Sequence, residues 1–349
     1  VTGERLRVGI LSGVRHARQY AELLRLDERV EIIGLAEDAD APEWMRRDSR
    51  AVASALGIPF IEGTAALLDE YRPDVALVCS EPTRHAALAV AALDRGVHTL
   101  VDKPVATTLE DARRVEAASS AASCSVINRT SSPALRRLRG WIDEGRLGLP
   151  RHLNVEFLSS GARFASSVER PELVLDPALS GGGELLNFLG YAVDAVRYLS
   201  GLEVVEVFAE ASALFGLGHA EAGLEDSGVV SLLLEHGVTA TVVLSRAPAA
   251  AGAGAGSCVF RVIGSSASAT GDDAQPQITR FGDDDSITAL PVGGDGGGAA
   301  VRRFLRDYVG SRLNGSPLGY DIADAVAAMR VIDAAYESVR TGSNVRLGS

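Results

Sequence analysis

The first 128 residues hold a series of short apolar runs separated by helix-length segments, and this alternation limits the fold more than any other feature. Leu6–Leu11 (LRVGIL), Val30–Ala36 (VEIIGLA), Ile58–Ile61, Val75–Cys79, Val97–Val101 and Cys124–Ile127 read as strands. Between them, His16–Leu26, Ser49–Leu56, Thr83–Leu93 and Leu109–Ala118 read as helices, with a capped segment at Thr64–Asp69. Runs that are apolar throughout, without strict alternation, suit strands buried on both faces, so the pattern predicts a parallel sheet covered by helices. The expectation is an α/β, Rossmann-like doubly wound domain over residues 1–128. Such sheets take ligands at the carboxyl ends of their strands, although the fold alone fixes no function.

After Asn128 the pattern changes. Pro133–Gly145 reads as a helix with Leu135, Leu138, Trp141 and Ile142 on one side, and Arg151–Leu158 alternates with Leu153, Val155 and Phe157 inward. Glu184–Leu199, Ala299–Gly310 and Asp321–Arg340 read as helices; Ile322, Val326, Met329, Ile332 and Tyr336 give the last an apolar, core-packing face. Val204–Ala213, Gly228–Glu235, Val238–Ser245 and Ser257–Ile263 read as strands, with Glu235-His236-Gly237 as a tight turn. Residues 129–349 are therefore expected to form a C-terminal α+β domain on an open, mostly antiparallel sheet. Its valine- and leucine-rich strands ask for a cover, which predicts a homodimer or homotetramer through that sheet. Pro248–Ser257 and Pro291–Ala300 are compositionally simple and read as turns.

Charge and composition exclude several classes. Forty-six acidic against 34 basic residues give a formal charge of -12, which disfavours nucleic acid and anionic membranes as partners. At 46% hydrophobic and 23% charged residues the chain is globular rather than disordered. Cys79, Cys124 and Cys258 lie far apart, with neither a disulfide framework nor metal-ligand spacing, so no metal and a reducing, cytoplasmic location are expected. No apolar run reaches membrane-spanning length, and no signal-peptide core precedes the first strand. Lysine occurs once, at Lys103, every other Lys/Arg position being arginine. Unlike arginine, lysine exchanges a proton readily when its surroundings lower its pKa.

Val8-Gly9-Ile10-Leu11, the stretch from Asp74 to Pro104 (DVALVCSEPTRHAALAVAALDRGVHTLVDKP), the Gly145/Gly148 exit of the following helix, Gly181-Gly182-Gly183 through Asp194, and the end from Tyr336 to Val345 occur in a specific order. On these residues the chain resembles the glucose–fructose oxidoreductase / inositol dehydrogenase (Gfo/Idh/MocA) family, as a divergent member. The resemblance implies a two-domain NAD(P)-dependent dehydrogenase. It places Lys103, in Asp102-Lys103-Pro104, at the family's Glu-Lys-Pro motif, His85 at the family's helix-start histidine beside the cofactor, and Pro104 in an unusual peptide geometry. The cofactor would lie against Gly9, Ser12, Gly13, Val14, Arg15, Glu37, Ser80, Glu81, Pro82, His85, Asp102, Lys103 and Pro104. Read from the residues alone, a packed or capping His85 is an equal alternative, and Glu37 with Asp38 ending a strand in solvent is the other reading of that acid.

Two departures from the family pattern stand out. Ser12, Val14 and Ala17 occupy the positions of the three glycines of Gly-x-Gly-x-x-Gly, where a missing Cβ lets backbone approach pyrophosphate. Val14 should point into phosphate space, with Arg15 or Arg18 offsetting the loss. Asn187 and Tyr191 replace the family's Asp and, four residues later, His; the spacing keeps both on one helical face, but Asn cannot take a proton as a carboxylate would. Asn128, Arg129, Arg163, Asn187, Tyr191 and Asp194 are the expected substrate contacts.

The expectation is an oxidoreductase acting on a sugar, polyol or related hydroxy/carbonyl compound. NAD is favoured over NADP because Glu37 repels a 2′-phosphate, and no cofactor at all is also open. Lys103 would polarise the substrate oxygen, Tyr191 relay a proton and Asn187 hold orientation. Two alternatives remain: a lyase or isomerase on the same fold, and a non-catalytic ligand-binding or partner protein with degenerate motifs.

Overall fold

A computed structural model describes residues 5–160, 170–247, 256–273, 277–284, 286–291 and 297–348. The chain forms two units that are not contiguous in sequence. Residues 1–127, 178–181 and 304–327 make the first, and residues 128–177, 182–303 and 328–349 the second. Where a single break after residue 128 was expected, the chain thus returns twice to the first unit.

In the first unit the apolar runs are strands buried on both faces; in β4 (Val75–Val78) every residue is buried. β1 (Leu6–Leu11), β2 (Val30–Glu37), β3 (Phe60–Glu62), β4, β5 (His98–Val101) and β6 (Cys124–Val126) line up in the order β3-β2-β1-β4-β5-β6. All pairs are parallel, as the strand–helix alternation demands. β1 lies between β2 and β4, so the order reverses there, where such sheets open a crevice at their carboxyl ends. The longer helices are α1 (Ala17–Leu24), α2 (Glu43–Leu56), α3 (His85–Leu93) and α4 (Leu109–Ala118), and Thr64–Ala66 with Leu67–Tyr71 form a short helical segment where one was expected at Thr64–Asp69. α2 begins six residues before the expected Ser49, because Met45 already belongs to its buried face. α4 starts where Thr108 accepts the Asp111 amide at 3.1 Å, a side-chain N-cap.

The second unit is built on β14-β13-β12-β11-β7-β10-β9-β8-β15, a nine-stranded sheet among the described residues. Its strands are β7 (Pro150–Ser160), β8 (Val204–Ser212), β9 (Ser227–Leu234), β10 (Thr239–Ala247), β11 (Gly256–Gly264), β12 (Ala267–Asp272), β13 (Gln277–Gly282), β14 (Ile287–Pro291) and β15 (Val345–Arg346). Only β7 and β10 pair in parallel; the other pairs are antiparallel. α5 (Pro133–Asp143) is capped by Ser132 and buries Trp141, and α6 (Glu184–Ser200) packs across β7, β9 and β10. α7 (Leu217–Ala222) belongs to this unit, whereas α8 (Gly297–Asn314) and α9 (Ile322–Thr341) are divided, residues 304–314 and 322–327 of them lying in the first unit. Strand alternation is clean: Val230 and Val242 are fully buried, whereas Val229 and Val243, their neighbours on the other face, are 45% and 37% exposed. β12 to β14 extend the sheet beyond the strands the pattern predicted. The turn at 235–237 forms as expected, with His236 and Gly237 both at positive φ. Much of the simple segment 248–257, and residues 292–296 of the other, lie outside the described residues.

Among the described residues no group of His, Cys, Asp or Glu could hold a metal ion, and no helix is long and apolar enough to cross a membrane. Cys79, Cys124 and Cys258 are buried, and none of them is in a disulfide.

Candidate site at the carboxyl edge of the parallel sheet

Lys103 lies two residues beyond the end of β5, at the edge where ligands are expected, and the Lys103–Pro104 peptide is cis. Its backbone is fixed from two sides. Asp102 is completely buried and accepts the Lys103 amide at 2.8 Å, the Tyr20 hydroxyl at 2.7 Å and a contact from His16 Nδ1 at 2.8 Å. Burial would raise its carboxyl pKa, but His16 and Arg15 outweigh that and hold it well below the usual carboxylate range. Asp102 therefore works inward, organising the loop, and its carboxylate is not presented to a cofactor. His85, also fully buried, places Nδ1 2.6 Å from the Pro104 carbonyl and Nε2 2.9 Å from the Ser80 carbonyl. It clamps the segment after β4 to the cis-proline loop. Burial lowers its pKa, with Asp102 and the two carbonyls opposing. The Lys103 side chain, on this doubly held loop, is partly exposed.

The turn after β1 is tied to the elements around it. The Ser12 amide donates to Ala36 O at 2.8 Å, the Gly13 amide to Ser49 Oγ at 2.9 Å and the Arg15 amide to Cys79 O at 2.9 Å. Ser12 sits at φ 66°, a left-handed conformation that costs a residue with a Cβ on the order of 1 kcal/mol. A Cβ on Gly13 would come within 3.0 Å of the Ser49 backbone, so this glycine serves packing against α2. Gly9 does the same against Leu67, 2.6 Å from its added Cβ. Val14 and Arg15 are buried, at 4% and 7% exposure.

Glu37, the acid at the end of β2, is fully buried. Its Oε2 accepts Ser12 Oγ at 2.6 Å and Ser49 Oγ at 3.0 Å; its Oε1 accepts Arg84 Nη1 at 2.9 Å and the Asp38 amide at 3.2 Å. A carboxylate offers about four acceptor positions, and four donors already fill them. Arg84 is held in turn by Glu81, Nε to Oε1 at 2.7 Å and Nη2 to Oε2 at 3.1 Å. Burial opposes its charge, but Glu81 and Glu37 prevail and raise its pKa above the ordinary arginine value. A dinucleotide asks for free amides at this turn and an open acid after β2. Here the Ser12, Gly13 and Arg15 amides and the four acceptor positions of Glu37 are already taken, so these residues as placed do not fit one in the usual pose.

In the second unit, Asn187 donates its side-chain amide to Glu184 Oε2 at 2.7 Å. Glu184 is fully buried, with Arg246 Nε at 2.5 Å and His219 Nε2 at 3.2 Å from its Oε1. Asn187 is thus part of a buried ionic cluster at the start of α6. Tyr191, one turn on, stacks on Phe157 with ring centroids 5.6 Å apart, and the Arg129 guanidinium lies 4.8 Å from its ring centre. The structure brings Arg129 and Tyr191 together, as a cation over an aromatic face. Asn128 turns back on its own chain, accepting the Thr130 amide at 2.9 Å and hydroxyl at 2.6 Å. Asp194 is buried at 5% exposure, and Arg163 lies outside the described residues.

Sequence reasoning missed Arg84, Ser49, His16, Tyr20, Glu184, His219 and Arg246. Arg84 carried one signal, a cation three residues after Glu81 at the start of a helix. The others touch partners far away in sequence.

A six-stranded parallel unit with a lysine and a cis-proline at its carboxyl edge, joined to an open and mostly antiparallel sheet unit, defines a two-unit oxidoreductase fold. The chain belongs to the Gfo/Idh/MocA family: residues 7–129 match the family model "Oxidoreductase family, NAD-binding Rossmann fold" and residues 135–270 match the "GFO/IDH/MocA C-terminal domain". It is 27% identical over 183 residues to the uncharacterized oxidoreductase YrbE of Bacillus subtilis, covering 52% of this chain and 51% of that one. It is 24% identical over 244 residues to myo-inositol 2-dehydrogenase of Thermotoga maritima, covering 69% of each chain. The chain thus spans about half to two thirds of the length of these relatives. In fold it is similar to an inositol dehydrogenase homolog from Azotobacter vinelandii complexed with NAD+, with a TM-score of 0.83, 20% identity, and coverage of 99% of this chain and 98% of that one.

Proposed function

We propose that this protein is an oxidoreductase acting on a sugar, polyol or related hydroxy/carbonyl compound, with Lys103 as the group that engages the substrate oxygen. The observation that carries this reading is the sole lysine of the chain, placed at the carboxyl edge of the sheet on a loop fixed by Asp102 and His85. An ammonium there donates a hydrogen bond to a hydroxyl or carbonyl oxygen and favours its anionic form. Myo-inositol 2-dehydrogenase among the relatives supports a polyol class. NAD is the cofactor that family membership implies, with NADP disfavoured by Glu37. Tyr191 and Asn187 are assigned to substrate positioning, Tyr191 through its ring beside Arg129 and Asn187 through the amide that Glu184 orients. The buried cysteines suit a reducing cytoplasm. The valines on the uncovered face of the second sheet support a homodimer or homotetramer through that face.

The test is turnover of a polyol and sugar panel followed at 340 nm with NAD+ and NADP+, in native protein and Lys103→Ala. The reading expects turnover with at least one member and its loss in the variant; turnover unchanged by Lys103→Ala rejects the assigned role. A second reading, a ligand-binding protein without redox activity, is favoured by the saturation of Glu37. Absence of NADH and NADPH binding at millimolar concentration would select it.

A further inference from the structure

β1 lies between β2 and β4 in the sheet. A bridge from the segment after β4 to the last residue of β2 therefore spans the carboxyl end of β1, where a dinucleotide would cross. Arg84 makes that bridge. Its guanidinium is gripped at Nε and Nη2 by Glu81 after β4, and it donates Nη1 to Glu37 Oε1 at 2.9 Å at the end of β2. Asp38 Oδ2 lies 3.8 Å from the same Nη1, and Met45 Sδ 3.7 Å from Nη2. The guanidinium is thus planted among three carboxylates, against the acid after β2 that in dinucleotide-binding sheets of this kind accepts the ribose hydroxyls.

We propose that Arg84 is a latch over the nucleotide corner: a dinucleotide enters only when the Arg84–Glu37 bond opens, so that this bond lowers cofactor affinity. The proposal rests on the oxidoreductase reading, since it assigns the corner to a nicotinamide dinucleotide. It follows from acceptor capacity. Glu37 Oε1 has no position for a ribose hydroxyl while Arg84 and the Asp38 amide hold it; once Arg84 leaves, a hydroxyl can take its place. The bidentate grip of Glu81 makes departure costly, because such a fork is stronger than a single charge contact. Two carboxylates already pair with the guanidinium, so a 2′-phosphate gains no free cation there.

The test is titration of the full chain with NADH and NADPH, read by nicotinamide fluorescence. Arg84→Met is expected to bind NADH at least tenfold more tightly than native protein, a change of about 1.4 kcal/mol. Arg84→Met also leaves Glu37 without its counter-charge, so Glu81→Gln is the second variant. It removes the grip and keeps the Arg84–Glu37 pair, and it should tighten NADH binding by a smaller factor. Thermal unfolding adds a readout independent of turnover: NADH should raise the melting temperature of Arg84→Met more than that of native protein. Unchanged or weaker NADH binding in both folded variants overturns the latch. So does native protein binding NADPH at least tenfold better than NADH with that preference lost in Arg84→Met, which would make Arg84 a phosphate receptor. If Arg84→Met gains affinity but no panel compound is turned over, the latch stands and the oxidoreductase reading falls. If native protein turns over with NADH affinity unchanged by Arg84→Met, the reading stands and the latch falls.

Discussion

Replacing Glu184 by Gln tests the buried ionic cluster at the start of α6. The carboxylate lies fully inside the second unit with Arg246 Nε at 2.5 Å, Asn187 Nδ2 at 2.7 Å and His219 Nε2 at 3.2 Å. Burial alone would push its pKa up; the His219, Arg246 and Asn187 contacts outweigh this and bring it from 4.5 down to about 2. A group whose folded pKa is depressed adds stability that is fully present above its unfolded value and is lost as pH falls through the folded one. At about 1.36 kcal/mol per unit, the contribution is roughly 3 kcal/mol at pH 7. Glu184→Gln should lose that much, and the gap from native protein should shrink to less than half by pH 3, where much of the linkage is gone. The assay is urea unfolding of both proteins at pH 7 and pH 3, followed by circular dichroism. Comparing the two gaps isolates the charge, because other acids cancel and any packing cost of Gln is the same at both pH values. A loss under 1 kcal/mol at pH 7, or a gap independent of pH, would refute the reasoning.

Asp273 has the opposite sign: burial pushes its carboxyl up to about 6, with Ser132 and Arg129 pulling the other way, and its Oδ2 has no hydrogen-bond partner among the described residues. Asp273→Asn should therefore be more stable than native protein at pH 8, by at most about 3 kcal/mol, with the gain vanishing below pH 4 as native Asp273 protonates; paired urea titrations at the two pH values check it. Trp141→Ala, at a position 2% exposed on α5, should cost about 3–5 kcal/mol by opening a cavity, measured as a lower urea midpoint with little change in slope. Light scattering at micromolar concentration should give the mass of at least two chains, and Val229→Asp with Val243→Asp, placed side by side on the uncovered sheet face, should return it to one.

The parts of the fold legible in the sequence are those whose burial leaves a pattern. β4 is buried on both faces and reads as an unbroken apolar run, and β9 and β10 alternate because one face is covered. β12 to β14 left no such trace: ASATGD, QITRFG and ITALP mix small, charged and exposed residues, and they are strands because β11 offers an edge to β12, β12 to β13 and β13 to β14. The site divides along a different line. Lys103 was legible because a lone lysine beside a proline at a strand end is a local signal. The pairing of its neighbours was not: Asp102 meets Tyr20 and His16 across 82 and 86 residues, and Glu37 meets Arg84 across 47. The acid after β2 and the serine at the first turn position are present in the sequence under either outcome, as a cradle for a nucleotide or as partners for each other. The strand order decides between them. By setting β2, β1 and β4 side by side it brings Ser12, Glu37 and Arg84 to one corner, and the hydroxyl and guanidinium reach the carboxylate before any ligand does. A sequence supplies donors and acceptors; only the fold settles which acceptor each donor fills, and in this corner that allocation governs whether a cofactor finds an open position.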